Sequence, residues 1–232
     1  MISNQYFLVK AVISDCDRLR QKQGGKCGLM LNYPWSRLLR KFKGSAVLQS
    51  GARSTSKVKP ASNFLASSMD RHSFIGYDCE MIQADIGASC SIANYVVICA
   101  GRHPIEWACN SPVFYEGREI VKAKFSTFSR EQKTRKSVGS DVGTGCRAVV
   151  IQDVNIGHVT AIGAGSVVTP DVPPYPIVAG RPASVIRFRF DEVVRRRLLE
   201  SKWWTVNDKY FTARAQHIRD PRRFANEIIK CA

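Results

Sequence analysis

The sequence is short of acidic residues, of histidine and of long apolar runs, and each shortage closes a route. No stretch approaches the ~18–20 consecutive apolar residues that cross a bilayer, so no membrane span is expected. The opening MISNQYFLVKAVISDCDR has no basic region ahead of its apolar part, and Lys10 interrupts it. It makes a poor signal peptide, and a cytoplasmic location is expected. Eight cysteines are present without a single Cys-x-x-Cys. Zinc-ribbon and thioredoxin readings therefore fail, and reduced, scattered thiols fit the set. Only 19 Asp and Glu oppose 35 Lys and Arg, for a net charge of +16. That excess suits a nucleic-acid binder. It is dispersed, however, over RLLRKFK, KAKF…REQKTRK and RFRF…RRR, with no zinc-finger or RNA-recognition signature. A solvated basic surface accounts for it, as does an anionic cofactor or a nucleotide-linked substrate, and no nucleic-acid partner is expected.

What the chain does have is a six-residue beat. From Val138 it reads VGSDVG, TGCRAV, VIQDVN, IGHVTA, IGAGSV, VTPDVP. The first position is aliphatic or Thr, the second is mostly Gly, and the fifth (Val142, Ala148, Val154, Thr160, Ser166, Val172) is small or β-branched. Neither a helix period nor strand alternation fits. Short fixed self-similarity marks a solenoid, here a parallel β-helix. Each repeat supplies one short strand and one corner, with the first and fifth residues pointing inward. The glycine is read as freeing the backbone to turn. The beat starts earlier at Ile75-Gly76, Ile86-Gly87 and Ile92-Ala93. Ile75 and Ile86 are eleven positions apart, one short of two repeats, and Met81–Asp85 is read as a corner irregularity. Cys79 and Cys90 fall on the small inward position, where cysteine acts as a small hydrophobe.

The predicted organisation is a helical or irregular N-terminal cap over 1–45, a β-helix over 46–190 and a helical tail over 191–232. Between the two runs of the beat, residues 102–137 form a long loop without it. A loop of about 35 residues inside a compact fold is usually functional. Asp191 is the expected N-cap of the tail's first helix, DEVVRRRLLESKWW.

Certain segments are more specific than the beat. The ending DVPPYPIVAGRPASVIR, the loop start GRHPIEW and the tail FDEVVRRRLLESKWW together resemble the hexapeptide-repeat acyltransferases, in the xenobiotic branch that includes streptogramin and chloramphenicol acetyltransferases and many sugar O-acetyltransferases. The resemblance covers about residues 70–208 and implies a left-handed parallel β-helix, a homotrimer and active sites in clefts between subunits. It implies acetyl-CoA as acyl donor, no metal, and a small-molecule hydroxyl acceptor, either a sugar of a surface polysaccharide or its precursor, or a xenobiotic. His103 matches the catalytic histidine of that family, as general base toward the acceptor hydroxyl. Asn94, Glu106 and Trp107 are candidates for acceptor binding. Glu106 and Trp107 equally fit a solvated carboxylate and a loop-packing ring.

For the cofactor, the resemblance points to Gly143, Cys146, Gly163, Ala164, Thr169, Arg181 and Arg187. Gly163–Gly165 would let a pantetheine arm approach the backbone amides, and Arg187 would lie near the CoA phosphates. The chain departs from the family pattern where Gly143-Thr144 replaces a usual Trp-Ile, where Pro170 replaces Lys, and where Ser184 replaces a basic residue. These departures support a second reading, a trimeric hexapeptide scaffold that no longer binds CoA productively. The other histidines compete weakly. His158 is expected to be exposed at a variable position, His72 precedes the first clear repeat, and His217 lies in the basic tail. A γ-type carbonic anhydrase would gather three histidines on a metal, and the spacing of 72, 103 and 158 does not match one.

Overall fold

A computed structural model describes residues 43–100, 103–117, 121–129 and 135–229. The cap expected over 1–45 lies almost wholly outside them. From Ala46 the chain winds as a parallel β-solenoid with three sheets. Sheet A stacks β1 (Ala46–Leu48), β4 (Asn63–Leu65), β7 (Glu80–Ile82), β10 (Val97–Ala100), β13 (Val149–Ile151) and β15 (Val167–Val168). Sheet B stacks β2 (Gly51–Ala52), β5 (Ser68–Met69), β8 (Ala84–Ile86) and β11 (Lys136–Val138). Sheet C stacks β3 (Lys57–Val58), β6 (Phe74–Ile75), β9 (Ser91–Ile92), β12 (Gly143–Thr144), β14 (Ala161–Ile162) and β16 (Pro176–Gly180). It closes with β17 (Ala183–Phe188), which alone among the described strands pairs antiparallel. The β-helix expected from the beat is the fold observed.

The inward first positions form one core: Phe64, Met69, Ile75, Met81, Ile86, Ile92, Ile98, Val138, Val150, Ile156, Ile162 and Val168 are all buried. Burial of these side chains removes apolar surface from water on every coil, and this sets the register. The missing residue at Met81–Asp85 is no single irregularity. Sheet A strands pair at Ala46, Asn63, Glu80 and Val97, steps of 17 residues. Each early coil therefore has one five-residue side, as Phe64 to Met69 repeats Met81 to Ile86. Above the loop, Val149 pairs with Val167, a step of 18.

The repeat glycines work differently from the expectation. None of Gly76, Gly87, Gly139, Gly145 or Gly157 has a positive φ. They are small because the adjoining coil lies against them: a Cβ on Gly157 would sit 2.5 Å from the Pro173 carbonyl carbon. The left-handed backbone comes two residues later, at Asp78, Ser89, Asp141, Arg147 and Val159. Val159, β-branched at φ +61°, is strained in isolation and held by its neighbours in the stack.

The small fifth positions do more than fill space. Ser62 Oγ donates to Gly76 C=O (2.8 Å) and accepts from Cys79 N–H (3.1 Å). Ser73 repeats this with Gly87 and Cys90. Cys79 and Cys90 continue the column, their thiols donating to Ala93 C=O (3.0 Å) and Gly139 C=O (3.1 Å). Burial pushes both thiols up, Cys90 to about 12.

The tail carries α1 (Glu192–Glu200), α2 (Asp208–Arg214) and α3 (Pro221–Ile229). Asp191 caps α1, its Oδ1 accepting from Val194 N–H at 2.9 Å. Val194, Leu198, Trp203, Phe224 and Ile228 form a second core with Val159 and Tyr175 of the solenoid. No helix among the described residues is long and apolar enough to cross a membrane.

Candidate active site

The solenoid has three corners per coil, and the candidate residues divide between the two that bound sheet A. One corner joins sheet C to sheet A. Here Asn94, Cys146, Gly163-Ala164-Gly165 and Arg181 lie one above another. Arg147 N–H donates to Asn94 C=O (3.1 Å) and Gly165 N–H to Cys146 C=O (2.8 Å). Arg181 Nε donates to Gly165 C=O at 2.6 Å. Ala164 is exposed, Cys146 half-buried and unpaired by disulfide. Gly143 lies on sheet C just before this corner, between Ser91 and Ala161, and a Cβ there would meet nothing within 4 Å. The Gly163 amide donates to Val178 C=O and the Gly165 amide to Cys146 C=O, so both serve the solenoid itself.

The opposite corner joins sheet A to sheet B, and there the coil is interrupted. The loop leaves after β10 and rejoins at β11. His103 stands three residues beyond Ala100, exposed. Thr169 follows β15 at the same end of sheet A, two strands above β10. Arg187 is exposed on β17, opposite Ile177, with Nη1 donating to Phe188 C=O (3.1 Å).

The loop packs on itself. Trp107 meets Tyr115 and Phe128 edge-on, with centroids 6.2 and 6.1 Å apart. Lys124 Nζ donates to the carbonyls of Pro112 (2.8 Å) and Tyr115 (2.7 Å). Trp107 therefore packs the loop, and Glu106 is exposed beside it. Asn94 Oδ1 accepts from Tyr77 N–H (2.9 Å), bridging two coils at its corner.

His158 is half-buried, a correction to its expected exposure. Its Nδ1 accepts from Ser140 N–H (2.9 Å), and its ring stacks on Trp204 with centroids 4.1 Å apart. Burial lowers its pKa, keeping the ring neutral. His72 is held through Nε2 to Asp208 at 2.9 Å. Among the described residues, no group of three His, Cys, Asp or Glu is gathered as metal ligands.

Sequence reasoning missed a cavity of about 750 Å³ on sheet B, where the loop returns. Asp85, Ser137, Asn155 and Asp171 form one wall. Asn155 N–H donates to Asp171 Oδ1 (2.7 Å), and Arg135 pairs with Asp85 (2.7 Å). The available signal was polar residues at outward positions that the pairing of β8 with β11 places together.

Together, a glycine-rich edge, an exposed histidine at a broken corner and a cavity where the loop returns define a class: β-solenoids of stacked parallel sheets with a long loop inserted in one coil. The sequence comparisons agree. A chloramphenicol acetyltransferase of Escherichia coli is 40% identical over 126 residues, 53% of this chain and 59% of its own length. One from Agrobacterium fabrum is 36% identical over 122 residues, 51% of this chain and 58% of that protein. The chain thus spans under two thirds of the length of the curated relatives it matches. No family model matches it. Among solved structures, AntD, an N-acyltransferase from Bacillus cereus in complex with dTDP and 3-hydroxybutyryl-CoA, aligns at 17% identity with a TM-score of 0.49, over 68% of this chain and 85% of that one. Over the matched stretch, the resemblance to chloramphenicol-type acetyltransferases read from the motifs is borne out.

Proposed function

We propose that this chain is an acetyl-CoA-dependent O-acetyltransferase. The observation that carries the reading is the place where the solenoid breaks. His103 is presented at a corner where a loop replaces the turn, and where that loop returns, sheet B carries a cavity large enough for a sugar or a drug-sized acceptor. A neutral alcohol is a weak nucleophile at pH 7. The His103 imidazole removes its proton as the oxygen attacks the thioester carbonyl. The tetrahedral intermediate collapses, the C–S bond breaks, and the imidazolium returns the proton to the departing thiolate. No acyl-enzyme forms.

The donor lies along the corner built from Cys146, Gly163, Ala164 and Arg181, with Gly143 leaving space on the adjoining face and Thr169 and Arg187 closer to its ends. The exposed Ala164 and open Gly143 fit an extended pantetheine arm. The Gly163 and Gly165 amides do not supply its hydrogen bonds, because the solenoid uses them. Asn94, Glu106 and Trp107 contact the acceptor when a neighbouring copy closes the cleft, which makes a homotrimer the working assembly. The acceptor is a hydroxyl of a polysaccharide sugar or of a xenobiotic, and the protein works in the cytoplasm. A non-catalytic scaffold is the second reading, favoured by the missing side chain at Gly143 and by the two engaged amides. Calorimetry with acetyl-CoA separates them. Saturable binding at or below millimolar concentration supports the enzyme, and its absence supports the scaffold.

A further inference from the structure

Where the tail meets the corner after sheet B, a titratable ring holds it. His158 accepts the Ser140 N–H at Nδ1 (2.9 Å) and lays one face on Trp204, with centroids 4.1 Å apart and planes 15° apart. The imidazole does both only while Nδ1 carries no proton, and the neutral ring then has its N–H on Nε2. In the imidazolium both nitrogens are donors. One N–H would then face another at Ser140, and that bond is lost. The indole face by itself attracts a cation. The half-buried position works the other way, and burial lowers the His158 pKa. The carboxylates around the ring are already engaged. On the cavity wall, Asp70 lies 3.7 Å from Arg53, Asp85 pairs with Arg135 (2.7 Å) and Asp171 takes Asn155 N–H (2.7 Å). Beside Ser140, Asp141 meets Arg189 at 3.4 Å, and on the tail Asp208 meets Arg71 at 3.2 Å and His72 at 2.9 Å.

The stack also stands between two spaces. His158 lines the cavity of about 750 Å³ on sheet B, and Trp204 lines another of about 350 Å³ under the tail. The backbone of this segment is held separately. Arg71 donates to Trp204 C=O (3.0 Å) and to Val206 C=O, and Trp203 is anchored in the second core. Loss of the His158 contacts therefore frees the Trp204 ring without detaching the tail. We propose that His158 and Trp204 form a proton-sensitive latch, in which mild acid releases the Trp204 ring and joins the two cavities. The folded ring binds its proton more weakly than the unfolded chain does. The latch is thus fully closed above about pH 6.5 and is lost as pH falls from there through the folded value. His72 makes an ion pair with Asp208 only when protonated, so acid supports that second contact and the tail stays docked. The latch does not depend on the acetyl-transfer reading.

The test follows Trp204 in the full chain by acrylamide quenching of its fluorescence, isolated by subtracting Trp204→Phe, between about pH 7.5 and about pH 5. The wild-type quenching constant should rise at least about twofold on acidification, as the ring leaves its stack for solvent. His158→Asn removes the proton and keeps an acceptor, since Asn94 Oδ1 takes the Tyr77 N–H (2.9 Å) in the same way at another corner. Its quenching constant, whatever the starting value, should not change with pH. Its melting temperature should gain on that of wild type toward pH 5, a comparison in which the contribution of His72 cancels. In wild type alone, the His158 Cε1–H resonance should titrate with a midpoint below about 6.5. A midpoint above that value, a wild-type quenching constant unchanged by acid, an equal rise in His158→Asn, or a wild type that gains on His158→Asn in acid would each overturn the proposal.

Discussion

Gly143→Trp is the substitution in which the account of the cofactor edge is most exposed to test. The resemblance read from the sequence sets a Trp against the cofactor at this position, and here the side chain is missing. The backbone does not resist the change. Gly143 is a strand residue without positive φ, and a Cβ there meets nothing within 4 Å. Its cross-strand neighbours, Ser91 and Ala161, are small enough to lie under an indole. A tryptophan also suits a strand better than glycine does. Stability should therefore hold or rise slightly. If bound CoA covers roughly 70 Å² of the indole, apolar burial contributes about 1.7 kcal/mol, or roughly 15- to 20-fold in affinity. Calorimetry gives the Kd for acetyl-CoA, and thermal melting reports the fold. A well-folded Gly143→Trp with unchanged Kd would refute the placement of the donor along this edge. A large drop in melting temperature would refute the reading of Gly143 as open.

Other positions give contrasting outcomes. Gly157→Ala drives a Cβ into the Pro173–Pro174 backbone, and should cost about 3 kcal/mol. That is on the order of 10 °C in melting temperature for a domain of this size. Cys90→Ser keeps the donor to Gly139 C=O that serine provides elsewhere in the column, so denaturant melts should shift by no more than about 1 kcal/mol. Cys90→Val removes that donor and should cost more. With its pKa near 12, the Cys90 thiol should resist alkylation in the native protein while exposed Cys109 reacts at once, as peptide mass mapping would show. Asp208 is held below the usual carboxylate range by its hydrogen bond to His72, with the charges of His72 and Arg71 adding to it. Its folded pKa is below its unfolded one, so its contribution is present above about pH 4 and lost as pH falls through the folded value. The stability gap between wild type and Asp208→Asn should therefore narrow below pH 4, and a gap that widens would contradict the assignment.

The inward face of the solenoid was legible because burial dictates it. Ile75, Ile86, Ile92, Val138 and Ile156 admit few alternatives, and their spacing locates both runs and the loop between them. Outward positions carry no such constraint. Asn94 and His158 look alike in sequence as polar residues in corner repeats. Asn94 Oδ1 and His158 Nδ1 both accept a backbone N–H from the coil below, and nothing in the six-residue period distinguishes that from ligand contact. The one-residue deficit at Met81–Asp85 read as local because the earlier coils around Phe64 lack the glycine beat, although their pairing shows the same step. The clasp of the tail was invisible for another reason. Arg71 donates to Trp204 C=O (3.0 Å) and to Val206 C=O, and pairs with Asp208, contacts more than 130 residues apart that no periodicity announces. His103 was legible only through its neighbours in GRHPIEW. The solenoid shows where that segment stands, three residues beyond the last strand before the break.

The most direct test is transfer itself. Purified protein is incubated with acetyl-CoA and a panel of sugar and drug hydroxyl acceptors, and acetylated product is counted by mass spectrometry for wild type and for His103→Ala. Loss of a general base lowers turnover by roughly 10²–10⁴-fold, so His103→Ala should fall by that factor while its Kd for acetyl-CoA stays within about twofold. Equal turnover in wild type and His103→Ala would contradict the central claim.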